Sequence, residues 1–154
     1  ALYRDAAART PTPPENYALP LGTARTVRSG DDLTIVTYGK MVPFAEKAAK
    51  ELDKDGVSVE IIDLRTITPL DSDAIIESVK RTNRALVVYE DHEFIGFGAE
   101  ISAQIADVAF TYLDAPVRRV AGAFTSIPFA HSLEREVLPS DSDILDAARE
   151  LAAF

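Results

Sequence analysis

Three short, mostly apolar runs, LTIVTY (33–38), VSVEIIDL (57–64) and ALVVYE (85–90), and a short strand, VRRV (117–120), alternate with segments whose apolar residues recur about every four positions. Each strand-then-helix unit takes about 30 residues, the length of a crossover between parallel strands. Such crossovers are right-handed and lay their helices on the faces of the sheet. The pattern therefore predicts an α/β fold, a mostly parallel sheet between layers of helix.

Local signals place the elements. After Gly39 the repeats Phe44-Ala48-Leu52 and Ala45-Ala49 read as a helix, with Pro43 in a first turn that tolerates it and Gly56 closing it. Asp71 is placed to cap a second helix carrying Ile75, Ile76 and Val79, with Leu70 and Ile75 as a hydrophobic staple. A third helix, following residues 89–98, puts Ile101, Ile105, Val108 and Tyr112 on one face. The last starts near Ser140 and Asp141 and turns Ile144, Ala148 and Leu151 inward. Residues 24–38 read as a hairpin about Ser29-Gly30-Asp31-Asp32, adding one antiparallel strand and making the sheet mixed. Ahead of the domain (23–154), residues 1–22 form a linker from an upstream domain, because Pro11, Pro13, Pro14 and Pro20 forbid a continuous helix.

Charge narrows the partners. Twenty-five acidic against sixteen basic residues leave a net charge of −9, which argues against nucleic acid and anionic membrane and favours a basic partner or simple solubility. No apolar run approaches the roughly 20 residues of a membrane span. The lack of cysteine excludes disulfides and fits a reducing compartment. His92 and His131 are the only histidines, so a zinc site would need both together with carboxylates. No P-loop, G-x-S-x-G or H-E-x-x-H is present.

In open parallel sheets, function gathers at the carboxyl ends of the strands. YGKM (38–41), DLRTITPLD (63–71) and YEDHEFIGFG (89–98) belong there. Arg65 is either an anion ligand or the partner of a loop carboxylate at a turn or subunit contact. Gly96 and Gly98 open a helix, where free amides can hold an anion; the alternative is tight packing of loop on strand. A dinucleotide fingerprint is ruled out because Ile101 stands where its third glycine belongs. His92, among Glu90, Asp91 and Glu93, is best read as an interface histidine, and His131 as structural or exposed. No self-sufficient catalytic set emerges.

Taken in order, PLGTARTVRSGDDLTIVTYGKMV, GVSVEIIDLRTITPLD, GFGAEI and APVRRVAG…IPFAHSLEREVLP resemble the carboxyl-terminal domain of the transketolase superfamily. The nearest likeness is to the beta subunit of the thiamine-diphosphate-dependent first component of 2-oxoacid dehydrogenases, of pyruvate or branched-chain type. The resemblance covers residues 15–154, with DLRTITPLD its most specific part. It implies a three-layer α/β/α sandwich with a five-stranded mixed sheet, one strand antiparallel. It also implies that thiamine diphosphate and magnesium are held elsewhere in the intact enzyme, since the G-D-G…N motif and the pyrimidine-facing glutamate are missing here. The isolated domain is then expected to be inactive, with no catalytic, cofactor or metal residues of its own.

The role implied is assembly: a homodimer or heterotetramer, and docking of the acyltransferase's basic peripheral subunit-binding domain. Asp114 and Phe154, the latter with a free carboxylate if it is the natural terminus, are the residues implied for docking; the alternative is that Asp114 caps a turn and Phe154 packs the final helix. Arg65, Glu90, His92, Gly96 and Gly98 complete the candidates. Where relatives read G-x-D-x-P-x-P, Phe124 and Ser126 stand in for an aspartate and a proline, so no polar role carries over to that loop. The setting implied is bacterial cytoplasm, with the mitochondrial matrix as alternative because the chain begins Ala1-Leu2-Tyr3. Competing readings are the equivalent domain of a transketolase or deoxyxylulose-phosphate synthase, and an independent anion- or nucleotide-binding module.

Overall fold

The structure is a computed structural model in which residues 11–154 are described, so residues 1–10 of the expected linker lie outside the described residues. Five strands, β1 (Arg25–Arg28), β2 (Leu33–Thr37), β3 (Val59–Asp63), β4 (Ala85–His92) and β5 (Arg118–Gly122), form one sheet in the order β1-β3-β2-β4-β5. Only the β1–β3 pair is antiparallel.

The expected hairpin is corrected here: β1 pairs with β3 and never touches β2 in the ladder. β3 inserts between them because its Val59, Ile61 and Ile62 are buried and require cover on both faces. The connecting residues cross the end of β3 closely. A Cβ on Gly30 would lie 2.2 Å from the Val59 carbonyl carbon, and the Asp32 carboxylate accepts from the Ser58 N–H at 2.7 Å.

Helices α1 (Met41–Leu52) and α5 (Asp141–Ala152) cover one face, and α2 (Ser72–Thr82) and α3 (Phe97–Val108) the other. Their ends follow the sequence signals. Asp71 caps α2 through the Ala74 N–H at 3.2 Å, and Ser140 with Asp143 forms a capping box on α5. α1 ends in a short 3-10 turn and then Gly56, whose φ of +78° suits glycine. A short helix, α4 (His131–Val137), has no buried residue and was not legible from periodicity.

The inward face of α3 also needs correction. Ile101, Ile105 and Ala109 are buried, whereas Val108 and Tyr112 are exposed. The helix ends at Val108, and a 3-10 turn over Phe110–Tyr112 breaks the 3.6-residue repeat. No helix of the described residues is long and apolar enough to cross a membrane.

Candidate functional site

The carboxyl edge of the sheet gathers most of the residues singled out above. Arg65 leaves β3 in the left-handed region, with φ +56°, and its N–H donates to Asp63 Oδ1 at 3.1 Å. Asp71, while capping α2, also accepts from the Ala24 N–H at 2.8 Å, and Thr66 Oγ1 accepts from the Gly22 N–H at 3.0 Å. The DLRTITPLD loop is thus the anchor of the segment that enters β1.

Across the edge, Glu90 faces Lys40 at 3.7 Å. Burial, then the nearby Asp91 charge, pushes the Tyr38 hydroxyl up to about 12, so it stays protonated at neutral pH. His92 Nε2 sits 2.9 Å from the Thr125 carbonyl, which can only accept; Nε2 therefore carries a proton. The imidazole also meets the Phe124 ring edge-on at 5.4 Å. Arg119 on β5 was missed by sequence reading. Its Nη1 donates to the Glu93 carbonyl at 2.6 Å and to Tyr89 Oη at 3.2 Å, fastening the loop after β4 to the edge strand.

Gly96 and Gly98 are places of close approach. A Cβ on Gly96 would stand 2.0 Å from the His92 carbonyl oxygen, and one on Gly98 would stand 1.9 Å from the buried Tyr89 ring. Arg65 and His92 leave strands separated by β2, and among the described residues no hydrogen bond or ion pair joins them. His131 is exposed and pairs with Glu134 at 3.0 Å. Asp114 lies at the opposite, amino edge, where its N–H donates to the Asn83 carbonyl at 2.9 Å and its carboxylate faces Arg84 at 3.9 Å. Phe154 is exposed just beyond α5.

A second feature runs along β5. α3 packs over β4 and beside α2, leaving the outer part of this face of the sheet open. Between α3 and β5 lies a groove of about 820 Å³, floored by Ala99, Ala103, Ala106 and Val117, with Arg119 toward the carboxyl edge and Asp114 toward the amino edge. Phe110 stands at its rim, largely exposed. Alanines on α3 make the hollow, and the aromatic beside them makes a protrusion.

Residues 22–144 match the model of the family described as transketolase, C-terminal domain. The chain belongs to this family. Among curated proteins it is 47% identical over 153 residues to the pyruvate dehydrogenase E1 component subunit beta of Bacillus subtilis, covering 99% of this chain and 46% of that protein. The protein of the same name from Staphylococcus aureus is 44% identical, with the same coverage. That from Rickettsia felis is 46% identical over 136 residues, 88% of this chain and 42% of that one. The chain thus spans about half the length of the curated relatives it matches.

A split-gene transketolase solved as an inactive beta4 tetramer superposes with a TM-score of 0.72 at 22% identity, covering 90% of this chain and 44% of that one. A 2-oxoglutarate:ferredoxin oxidoreductase from Magnetococcus marinus gives 0.54 at 13%, covering 84% and 19%. Both likenesses show the fold.

Within this transketolase C-terminal domain the donors do not fit a magnesium–diphosphate group. Among the described residues no three His, Asp or Glu side chains come together as a metal site. The edge carboxylates are engaged instead: Asp63 by the Arg65 N–H, Asp91 by the His92 N–H and Glu90 by Lys40.

Proposed function

We propose that the chain is the assembly half of a pyruvate dehydrogenase E1-type beta subunit, serving subunit association and docking to the acyltransferase core. The decarboxylation of a 2-oxoacid and transfer of the acyl group to lipoamide belong to the whole enzyme, with thiamine diphosphate and magnesium held by its other domains. Residues 1–22 act as the linker to an upstream domain. Identity of 44–47% to beta subunits of this name supports pyruvate over branched-chain 2-oxoacids, and over a transketolase reading that rests on fold.

The observation that carries the reading is the groove between α3 and β5. Its alanine-lined hollow lies beside the protruding Phe110, so one patch holds both a cavity and the shape to fill it. Two copies related by a two-fold axis would each receive the other's aromatic ring, the self-complementarity a closed dimer requires. Asp114 remains at the rim, where an exposed carboxylate suits a basic docking module.

The test is sedimentation equilibrium of the 154-residue chain over a range of concentrations. A monomer–dimer equilibrium is expected, and Ala103→Glu, which puts a charge on the floor of the hollow, should weaken it at least about tenfold. A chain that stays monomeric throughout, or a dimer indifferent to the substitution, would overturn the reading.

A further inference from the structure

β1 is antiparallel to β3, with Arg25 opposite Asp63. Its beginning therefore lies at the carboxyl edge of the sheet, and the chain enters the domain there, held by the Gly22–Thr66 and Ala24–Asp71 hydrogen bonds. The same edge carries an apolar cluster on two loops: Phe94 and Ile95 after β4, then Phe124, Ile127 and Phe129 after β5. All are exposed, and Phe129 has no cover at all. Exposed apolar side chains scattered singly need no explanation, but a cluster on two joined loops marks a contact surface.

The loops are joined firmly. His92 Nε2 donates to the Thr125 carbonyl at 2.9 Å, the Glu93 N–H donates to the Gly122 carbonyl at 2.8 Å, and the Phe94 and Phe124 rings meet edge-to-face at 5.0 Å. Ile95 has φ +66° and is 79% exposed. A β-branched residue rarely adopts that conformation, so it persists only where its surroundings over-determine it. Here the Arg119 clamp on the Glu93 carbonyl fixes the chain before it, and the close seat of Gly96 against the His92 carbonyl fixes the chain after it. The loop is held with Phe94 and Ile95 outward, leaving little freedom to lose on docking.

We infer that this patch docks the domain that precedes this chain in the same polypeptide. The inference rests on the reading of the chain as half of a longer beta-type subunit. Three observations support this occupant over others. The matched relatives are about twice as long as this chain. The entering segment reaches the sheet at the carboxyl edge, beside β3. Residues 11–22 are exposed apart from Gly22, and when extended they reach at most roughly 40 Å, whereas five strands span only roughly 19 Å. A domain on that leader can therefore sit over the loops of β4 and β5. Exposed Asp91 and Glu93 flank the patch, so the opposing surface should be apolar with a basic margin.

The experiment is amide hydrogen exchange on the full-length protein, comparing wild type with Phe94→Ser/Phe124→Ser and with Phe94→Leu/Phe124→Leu. In the wild type, the amides of Phe94, Ile95, Gly96, Phe124, Ser126, Ile127 and Phe129 should be protected, together with one surface of the preceding domain. The serine pair should speed exchange at both places by about tenfold while the leucine pair retains protection. Unprotected loops in the wild type would overturn the inference. So would protection that the serine pair leaves unchanged, or cross-links from the patch that reach a second molecule in a mixed-isotope sample. Light scattering on the same samples separates this from the groove reading, because the serine pair should leave the dimer intact.

Discussion

The two faces of the sheet are built from similar numbers of helices and to different ends. On the α1/α5 face, Leu33, Ile35, Val59, Ile61, Leu86 and Val88 meet helices whose inward side chains are apolar. On the α2/α3 face the apolar cluster is interrupted by a buried polar set. Thr34 Oγ1 lies 2.7 Å from both Ser78 Oγ and Thr82 Oγ1, Ser78 donates to Glu60 at 2.5 Å, and Glu60 pairs with Arg81. That face also seats Tyr89 beneath two glycines and leaves the flank of β5 open. Apolar burial is non-directional and gives stability wherever shapes fit. Hydrogen bonds and glycine contacts fix one geometry. The closed face holds the domain together, and the second fixes where α2 and α3 sit and hence the surface offered to partners.

The largest effect that would test this division belongs to Gly98. Its missing Cβ would stand 1.9 Å from the Tyr89 ring, so Gly98→Ala forces α3 off its seat and should cost about 3 kcal/mol. On the other side Gly56 has open space around it and differs only in its backbone, with φ +78°. Gly56→Ala should cost about 1 kcal/mol. Urea denaturation of both variants gives the comparison. Equal costs would mean that the Tyr89 seat has no special role in placing α3.

A smaller effect is expected from the polar set. Glu60→Ala deprives the buried Ser78 hydroxyl of an acceptor and should cost about 1–2 kcal/mol. Arg81 is half exposed and can turn to water, which keeps the cost below that of breaking a fully buried pair. Glu60→Gln, which keeps an acceptor for Ser78, should recover most of the loss. If alanine and glutamine behave alike in thermal unfolding, the Ser78 hydrogen bond contributes nothing and the faces differ less than their chemistry implies.

The closed face was the more legible in sequence. Ala45, Ala48, Ala49 and Leu52, then Ile144, Ala148 and Leu151, repeat at helical spacing and are buried as that spacing requires. The strand runs and the Asp71 and Ser140 caps were equally readable because each signal is local. What failed was set by distant partners. The turn residues of 29–32 predict a reversal but not which strand will lie beside β1, and burial of β3 decided that. Val108 and Tyr112 fit the helical repeat only until the 3-10 turn broke it. Glu60, on a strand that otherwise buries apolar residues, was a signal for the polar set, since a buried acid demands donors. Arg119 carried no such signal: the VRRV run places two arginines on opposite faces of β5 without telling which one clamps a loop.

The smallest effect on stability should come from Asp114, and it bears most directly on the proposed docking. Its carboxylate stands 3.9 Å from Arg84 and is more than half exposed, so solvent screens the pair and Asp114→Asn should change stability by no more than about 0.5 kcal/mol. A basic docking module approaching the rim of the groove would meet this charge in the bound state, where contact strips away the water that screens it. Losing a charge-assisted hydrogen bond there should weaken docking by roughly 1–3 kcal/mol, about five- to 150-fold in affinity. Added salt should slow association for the same reason. Surface plasmon resonance of the proposed full-length subunit against a basic binding domain of the proposed kind, at several salt concentrations, measures both. If affinity ignores the substitution and the association rate ignores salt, Asp114 is only the companion of Arg84 at the amino edge, and the docking surface lies elsewhere.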